Sequence, residues 1–350
     1  MENNLFHIDF KLNGNSFSSS DELISFSKDL DDSIYQFFVD WFASDDFLEV
    51  QTSGSTGKPK KIKLRKEFMR NSALATGSFF DLKEKTTALL CMSTDFIAGK
   101  MMLVRAMVLG WNLDVIEPVS NPLAFTKKQY DFSAMVPMQL QNSLSEINRV
   151  KKLIVGGGIV SSELEKEIQN VSTEIFATFG MTETITHIAV RRLNQNVISS
   201  GVEKFTYQVL PNISISKDER NCLVINAPTI AENSIITNDV VEVFSETEFK
   251  WLGRFDNVIN SGGIKLHPEE IEKKLSKIIS QRFFVTGIPD EKLGEKLVLI
   301  IEGDAFNLDL SRAINLTKFE KPKTIYFVNA FVETDTKKIQ RNKTLNLIFK

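Results

Sequence analysis

The chain has 350 residues, of which 42% are hydrophobic and 25% are charged, so it is long enough for two domains and has the balance of an ordinary globular protein. Its net charge of −3 gives no general reason to expect nucleic acid as a partner. Cys91 and Cys222 lie far apart in apolar runs, which indicates buried, inert thiols, and the scattered histidines argue against a structural zinc site. The lack of a signal-like N-terminus and of any apolar stretch of ~20 residues predicts a cytoplasmic protein without membrane contact.

Helix and strand signals alternate through the first half of the chain. Two helices, one beginning at Ser20–Ile24 and one over Ile34–Phe42, are predicted to pack as a cover on the next part of the chain. From Phe47 to Thr178 the alternation predicts a largely parallel sheet with helices on both faces, and ligands of such sheets bind beyond the carboxyl ends of the strands. The predicted segments are strands at Thr86–Met92, Leu113–Ile116, Phe132–Val136, Val150–Val155 and Thr173–Thr178, and helices at Lys66–Phe80, at Phe96–Leu109 and from Ser162 with a capping box to Glu165.

The second half has a different pattern. Residues 197–251 alternate short strands with turn residues, which predicts a small barrel or a curled sheet. A tight turn at Asn260–Gly263, a helix from Pro268 and three further strands then predict a small α+β unit. We therefore expect an α/β protein with a large N-terminal domain, residues 1–253, that has mostly parallel sheets and a β-rich subdomain. A small, mobile α+β C-terminal domain, residues 254–350, would come after it.

A loop rich in hydroxyls, glycines and lysines, with the sequence T-S-G-S-T-G-K-P-K at residues 52–60, separates two predicted strands. Glycines let backbone N–H groups approach an anion, and hydroxyls and lysines add donors and charge, so the composition suits a polyphosphate. It is not a Walker loop, because Gly54 and Gly57 are too close together and Pro59 follows Lys58. Taken alone, the sequence leaves open the alternative of a flexible Gly/Ser loop with solubilising lysines.

Other motifs extend this interpretation. The loop at 52–60, G-M-T-E-T at 180–184, T-N-D at 237–239 and G-R-F-D at 253–256 resemble, in order, the motifs of the adenylate-forming enzymes, which include acyl-CoA synthetases and luciferases. The resemblance spans residues 50–341. It implies a ligase that uses ATP and Mg²⁺ to activate a carboxylate as acyl-AMP and then transfers the acyl group to a thiol, normally that of coenzyme A.

The resemblance also implies roles for single residues at the nucleotide end. Phe179 stands where the family usually has tyrosine and would lie on adenine, next to Gly180 and Met181. Thr182 would contact the α-phosphate and Glu183 would hold Mg²⁺, which suits a hard carboxylate. The residues implied to bind the β- and γ-phosphates are Thr52, Ser53, Gly54, Ser55, Thr56, Gly57 and Lys58. A glycine turn beside the nucleotide and the acyl pocket would be formed by Gly156, Gly157 and Gly158.

Further implied roles fall in the second half of the chain. Asp239 would accept hydrogen bonds from the ribose hydroxyls, and Arg254 would touch the nucleotide. Asp256 would be the pivot of a domain rotation, and Gly263 would line the tunnel for pantetheine. The catalytic lysine of the family corresponds to Lys338.

The lysine assignment rests on register. The residues K-I-Q-R at 338–341 resemble the terminal G-K-I-x-R motif, but Lys337 replaces its glycine, so the neighbouring lysine remains an alternative.

Within the family, the short form most resembles the o-succinylbenzoate–CoA ligases of menaquinone biosynthesis. A dicarboxylate substrate would need a second cation, for which Lys100 and Arg105 are candidates, and His187 could also face the substrate. The alternatives are a CoA ligase for another aromatic or short-chain acid, an acyl-AMP ligase that loads a carrier protein, and a nucleotide-binding protein that has lost catalysis. The sequence leaves a homodimer open.

Overall fold

A computed structural model describes residues 6–51, 61–194, 205–313, 315–334 and 339–349, with only the backbone of residue 51. The chain divides into two compact units. The first comprises Met1–Ile215, Ile225–Ile235 and Ser245–Glu248, and the second comprises Ser216–Val224, Ile236–Phe244 and Phe249–Lys350. Within the described residues, no helix is both long enough and apolar enough to cross a membrane.

The N-terminal segment forms a short strand and the two predicted helices. These are β1 (Lys11–Leu12), α1 (Ser20–Ser27) and α2 (Asp32–Phe42). The first helix begins at Ser20, as predicted, and the side chain of the preceding residue, Ser19, caps it by accepting the hydrogen bond from Glu22 N. The strand adds in parallel to an edge of the main sheet, so this segment is part of the fold as well as a cover on it.

A two-stranded antiparallel ribbon confirms the predicted strands on both sides of residues 52–60. The strands are β2 (Phe47–Gln51) and β3 (Lys61–Arg65), and Gln51 pairs with Lys61. Residues 52–60, whose composition suits a polyphosphate, therefore connect Gln51 and Lys61, which pair directly.

The main sheet of the first unit is mostly parallel. Its strands continue with β4 (Thr87–Leu90), β5 (Asn112–Val115), β6 (Tyr130–Met135), β7 (Val150–Val155), β8 (Glu174–Gly180), β9 (His187–Arg192) and β10 (Tyr207–Val209). The order is β1-β5-β4-β6-β7-β8-β9-β10, with parallel pairing up to β8 and antiparallel pairing after it. The predicted parallel α/β sheet is confirmed, whereas β9 was not predicted.

Four helices follow strands of this unit: α3 (Lys66–Phe80), α4 (Ile97–Leu109), α5 (Pro137–Asn142) and α6 (Ser162–Glu167). The predicted end of α4 at Gly110 is confirmed, since that residue adopts φ +69°. The predicted capping box of α6 is wrong by one residue, because Ser161 Oγ caps Leu164 N at 3.1 Å. Leu140 and Leu164 bring the two short helices into one core with β6, β7 and β8.

The β-rich region consists of β11 (Ser214–Lys217), β12 (Cys222–Asn226), β13 (Ile235–Ser245) and β14 (Glu248–Arg254). Their order, β14-β13-β12-β11, is that of an open sheet, so the region is not a closed barrel. Both cysteines are buried, as predicted from their apolar surroundings.

The C-terminal part of the second unit is a small α+β structure. It contains β15 (Ile259–Ser261), β16 (Ile264–Leu266), α7 (Pro268–Leu275), β17 (Phe283–Asp290), β18 (Gly294–Glu302), β19 (Thr324–Val328) and α8 (Arg341–Ile348). Ser261 pairs with Ile264, so the predicted tight turn is a two-residue hairpin of Gly262 and Gly263, both with positive φ. Positive φ at both central residues is what this hairpin type requires.

Two apolar layers hold this structure together because side chains alternate along its strands. Val285 and Leu299 face the core that contains Leu275 of α7. The adjacent residues Phe284 and Ile300 face the opposite core, against which Leu345 of α8 packs. The α+β architecture is as predicted, while the domain boundary at 253/254 and the mobility of this part stay predictions.

A largely buried ion pair, with 22% of the Arg341 side chain and 18% of the Glu272 side chain exposed, ties α8 to α7. Arg341 Nη1 and Nη2 lie 3.0 Å from the two carboxylate oxygens of Glu272, and Nη1 also donates to Val285 O at 3.0 Å. Val285 N donates to the same carboxylate at 2.8 Å. The pair is therefore almost fully hydrogen-bonded, which is the condition under which a buried pair can persist.

Replacing Arg341 by Met should lower the free energy of unfolding by about 3–5 kcal/mol, because Glu272 would stay buried without its cation. Denaturant unfolding of the whole chain measures this. Arg282→Met is the matched control, since Arg282 also pairs with acids and packs on a phenylalanine ring but is half exposed. Its loss should stay below about 1 kcal/mol. Equal losses in the two variants would contradict the proposed importance of burial.

Candidate functional site

The carboxyl ends of three neighbouring parallel strands carry the glycine-rich and hydroxyl-rich segments. Met135 of β6 pairs with Val155 of β7, and Val155 pairs with Ala177 of β8. The segments that follow these strands therefore start at one edge of the sheet, where ligands of such folds bind.

The predicted glycine turn, residues 156–158, leaves β7 at this edge. Gly156 N donates to Met135 O at 3.1 Å, and a Cβ on Gly156 would lie 2.5 Å from Thr178 Oγ1. Gly157 and Gly158 are exposed. Ile159, the residue after the turn, is 78% exposed. Met138 is 60% exposed and follows Pro137, the residue that a Cβ on Gly158 would meet. This edge of the sheet thus presents both exposed backbone and exposed apolar side chains, which suits a ligand with polar and apolar parts.

The end of β8 is shaped by a very close backbone approach. A Cβ on Gly180 would lie 2.2 Å from Thr186 O and 2.5 Å from His187 Cα, so only glycine fits. The register of β8 and β9 shifts between Phe179 and Gly180, which is a β-bulge. Phe179, half buried, meets the ring of Tyr207 edge to face at 5.8 Å.

The segment after Gly180 is a tight, strained turn. Thr184 is buried, and its hydroxyl accepts from Met181 N at 3.0 Å and lies 2.8 Å from Thr186 O. Thr186 N donates to Thr184 O at 2.7 Å around Ile185, which has φ +66° and ψ −59°. A β-branched residue in a γ-turn of this sign is rare and costly, and such strain is concentrated at functional sites. Thr182 is half buried and Glu183 is exposed.

Behind this turn, Arg105 and His187 form a buried pair. Arg105 is 2% exposed, and its Nη2 lies 3.4 Å from His187 Nδ1. Because a guanidinium only donates, Nδ1 must accept, and the imidazole proton is on Nε2. That Nε2 is buried, and it has no hydrogen-bond partner among the residues that the structure describes. Burial, reinforced by the nearby guanidinium, lowers the pKa of His187 well below its usual range, so the ring is neutral.

The charge of Arg105 is not balanced by any carboxylate among the residues that the structure describes. Its other contacts are Thr76 Oγ1, at 3.3 Å from Nε, and Met102 Sδ, at 3.8 Å from Nη1. Burial lowers the pKa of Arg105 to about 9, so it remains a cation at neutral pH. A buried cation without a carboxylate partner costs several kcal/mol, and a bound anion would offset that cost.

Lys100, the other predicted cation, lies one turn earlier on α4. Its Nζ is 5.9 Å from the centre of the Phe37 ring, and the side chain is half buried. Burial lowers the pKa of Lys100, and Asp95 and Asp40 partly oppose this effect. Lys100 therefore has acidic neighbours, whereas no acidic residue in the described part of the chain acts on Arg105.

In the second unit, Asp239 is the centre of a second cluster. It is 6% exposed, its Oδ1 accepts from Trp251 Nε1 at 2.9 Å, and its Oδ2 lies 3.6 Å from Arg254 Nη1. Burial raises the pKa of Asp239 above its usual range, and the contacts with Trp251 and Arg254 oppose that rise. Arg254 also approaches Asp256, and Asn238 Nδ2 donates to Asp256 at 3.3 Å. Three predicted residues, 239, 254 and 256, thus lie together.

The remaining predicted residues are placed differently. Gly263 lies at the exposed tip of its hairpin, with open space where a Cβ would be. The predicted phosphate-binding residues 52–58, and both Lys337 and Lys338, lie outside the described residues. The segment that contains the two lysines is flanked by a bridge between Glu333 and Ile339 and by a hydrogen bond of 2.7 Å from Gln340 N to Val332 O.

Several residues of these clusters were not predicted. Trp251 contacts Asp239 and Tyr207 contacts Phe179, in each case from another strand. The Thr184 hydroxyl accepts a hydrogen bond from Met181 N, and the Thr178 hydroxyl lies beside Gly156. The only signal available in the sequence was the presence of aromatic and hydroxyl residues near the motifs, which is too common to be specific.

Comparisons with known proteins agree with the motifs. Residues 17–214 match the model of the AMP-binding enzyme family. A crystal structure of an acyl-CoA synthetase (AMP-forming)/AMP-acid ligase II-like protein from Dyadobacter fermentans has 38% identity and a TM-score of 0.61, over 90% of this chain and 93% of that one. A 2-succinylbenzoate–CoA ligase from Geobacillus sp. is 24% identical over 89% of this chain and 71% of its own.

A further solved structure supports the fold. O-succinylbenzoate coenzyme A synthetase from Bacillus subtilis, in complex with ATP and magnesium ion, has a TM-score of 0.72 at 17% identity, over 93% of this chain and 82% of that one. The family match covers more than half of the chain, so this chain belongs to the AMP-binding enzyme family. The family predicted from the motifs, and the α/β fold that it implies, are confirmed.

Replacing Gly180 by Ala should lower the free energy of unfolding by about 1–3 kcal/mol, because the new methyl group would collide with backbone that cannot rotate away. Gly158→Ala is the control, since its Cβ would meet only Pro137, at 3.5 Å. That change should stay within about 0.5 kcal/mol. Denaturant unfolding of both variants provides the comparison, and a Gly180→Ala protein as stable as Gly158→Ala would contradict the described approach of β8 to β9.

Proposed function

We propose that this chain is an AMP-forming acid–thiol ligase that converts 2-succinylbenzoate, ATP and coenzyme A into the 2-succinylbenzoyl thioester, AMP and pyrophosphate, as in menaquinone biosynthesis. The observation that carries the substrate assignment is the buried pair of Arg105 and His187. Among the described residues, the pair offers a cation without a counter-ion and an N–H without an acceptor, which suits the second carboxylate of a dicarboxylic acid. Membership of the AMP-binding family and the 2-succinylbenzoate–CoA ligases among its relatives support the reaction class.

The reaction has two steps. A carboxylate oxygen of the substrate attacks the α-phosphorus of ATP, and the bond to the β-phosphate oxygen breaks, which releases pyrophosphate and forms acyl-AMP. The thiolate of coenzyme A then attacks the acyl carbon, and the C–O bond to AMP breaks. Because the first step joins two anions, positive charge and positioning should supply most of its catalysis.

The nucleotide end uses few side chains. Phe179, with Gly180 and Met181, provides the surface for adenine, and Asp239 accepts the ribose hydroxyls. Thr182 and Arg254 contact the nucleotide. Residues 52–58 bind the phosphates that leave as pyrophosphate, so their loss should affect the first step more than the second. Gly156, Gly157 and Gly158 leave room for the acyl-adenylate.

Mg²⁺ is expected at Glu183. Among the described residues no cluster of three or more potential ligands exists, and a single exposed carboxylate fits an ion that takes most of its ligands from phosphates and water. When bound, Mg²⁺ would neutralise phosphate charge.

The second step requires a change at the active site. Lys338 assists acyl-AMP formation, and a rotation about Asp256 then replaces it by the segment of Gly263, past which pantetheine enters. Such rotations are a known class of switch in proteins. The domain division at 253/254, a cytoplasmic location and a homodimer remain parts of this proposal.

ATP–pyrophosphate exchange over a panel of acids tests the proposal and its rivals. We expect exchange with 2-succinylbenzoate and a thioester product with coenzyme A. If exchange is fastest with another acid, that acid replaces 2-succinylbenzoate as the proposed substrate, and the proposed reaction class stands. Exchange without thioester formation on coenzyme A, but with transfer to a carrier-protein thiol, would make the chain a loading enzyme. No exchange with any acid would favour a nucleotide-binding protein without catalysis.

Arg105→Met should lower kcat/KM for 2-succinylbenzoate by about 10- to 100-fold, the value of a hydrogen-bonded charge, and should change kcat/KM for benzoate much less. Lys100→Met is the matched control on the same helix. If Lys100→Met gives the selective loss instead, Lys100 and not Arg105 binds the second carboxylate. If Arg105→Met lowers kcat/KM equally for 2-succinylbenzoate and for benzoate, Arg105 does not bind the second carboxylate.

Lys338→Ala should abolish most acid-dependent pyrophosphate exchange while leaving conversion of supplied acyl-AMP to thioester nearly intact, because the cation is needed only where two anions meet. Lys337→Ala controls for the alternative assignment. The opposite pattern in Lys338→Ala, with full exchange and no thioester, would show that the assigned role is wrong.

A further inference from the structure

Hydrogen bonds fix both the main chain and the carboxylate of Asp239. Its backbone N donates to Thr237 Oγ1 at 3.1 Å, and Thr237 Oγ1 donates to Leu223 O at 2.9 Å, which fixes the main chain of β13. At the other end, Trp251 Nε1 on β14, the neighbouring strand, donates to Oδ1 at 2.9 Å. The aspartate therefore cannot turn without breaking the indole hydrogen bond.

The indole is a selective partner for this task. An ionised carboxylate offers about four lone-pair sites, and the indole supplies one donor and no acceptor. It therefore occupies one site and leaves the others, including those on Oδ2, for further donors. Two neighbouring hydroxyl groups, as on a ribose ring, are donors of the right number and spacing for such a carboxylate.

We propose that Trp251 is a positioning residue for the nucleotide, which sets the carboxylate of Asp239 in the orientation that receives the ribose hydroxyls. This proposal rests on the proposed function, because it requires that Asp239 binds the ribose of ATP. It adds a residue that acts through Asp239 and does not itself contact the substrate.

The same contact favours the ionised form of Asp239, in which both carboxylate oxygens accept hydrogen bonds. The groups that act on its charge are Trp251 and Arg254, which favour the anion, and Asp256 and Glu269, which oppose it. Burial favours the neutral acid. Removing the indole donor should therefore raise the pKa of Asp239 further, so that ATP binding is lost at a higher pH than in the original protein.

The test is Trp251→Phe, which keeps an aromatic ring and removes only the N–H and one ring. We expect KM for ATP in the exchange reaction to rise about tenfold, kcat to change less than about threefold, and the acidic limb of kcat/KM for ATP to move to higher pH. Discrimination between ATP and 2′- or 3′-deoxy-ATP should shrink.

Trp111→Phe is the matched control. Trp111 is fully buried in the first unit and its Nε1 has no partner among the described residues, so the change removes an indole without removing a hydrogen bond. It should leave KM for ATP and the pH profile unchanged, although it can lower the unfolding temperature.

The double variant separates positioning from general damage. If Trp251 acts through Asp239, Trp251→Phe should raise KM for ATP little further in an Asp239→Asn background. Fully additive effects, or a wild-type pH profile in Trp251→Phe, would overturn the inference. If Asp239→Asn alone leaves KM for ATP unchanged, the ribose assignment fails, and that outcome is distinct from a failure of Trp251 alone.

Discussion

The close approach of two backbones at Gly180 is the constraint on which the first half of the candidate site depends. Without a Cβ at this position, β8 can run within contact distance of residues 186 and 187, and the chain between them is forced into the strained turn around Ile185. This turn presents Thr182 and Glu183, and the same approach buries His187 against Arg105. One missing methyl group thus underlies both the turn at Thr182 and Glu183 and the burial of His187 against Arg105.

Charge explains why the site is built in this way. Joining a carboxylate to a triphosphate brings anions together, so the protein must hold cations and donors that are not already neutralised. Arg105 has a different role in the proposed function, because it would bind the second carboxylate of the substrate, which does not react. No carboxylate among the described residues balances its buried charge, so a bound dicarboxylate would do so. Asp239 presents the opposite case, a buried carboxyl group whose pKa is raised by burial, while the contacts with Trp251 and Arg254 oppose that rise. Under the proposed function, each unit thus holds a buried ionisable group that a substrate group would contact.

Much of the fold could be predicted from the sequence where the pattern was long and local. The helix at Lys66–Phe80 and the strands at Val150–Val155 and Thr324–Val328 have the predicted bounds, because apolar spacing and flanking breakers determine them. The family was likewise predictable. The cap of α6 was misplaced by one residue because the adjacent serines Ser161 and Ser162 compete for the same role. Contacts between strands distant in sequence, such as Trp251 with Asp239 and Phe179 with Tyr207, leave no local signal and could not be predicted.

The central claim is that a carboxylate oxygen of the substrate becomes bonded to the α-phosphorus of ATP. The most direct test supplies 2-succinylbenzoate with ¹⁸O in its carboxylates, ATP and coenzyme A to the whole chain and determines the isotope content of the products by mass spectrometry. The account predicts one ¹⁸O atom in AMP, none in pyrophosphate, and a thioester that has lost one labelled oxygen. Label in pyrophosphate or orthophosphate, or AMP formed without label, would contradict it.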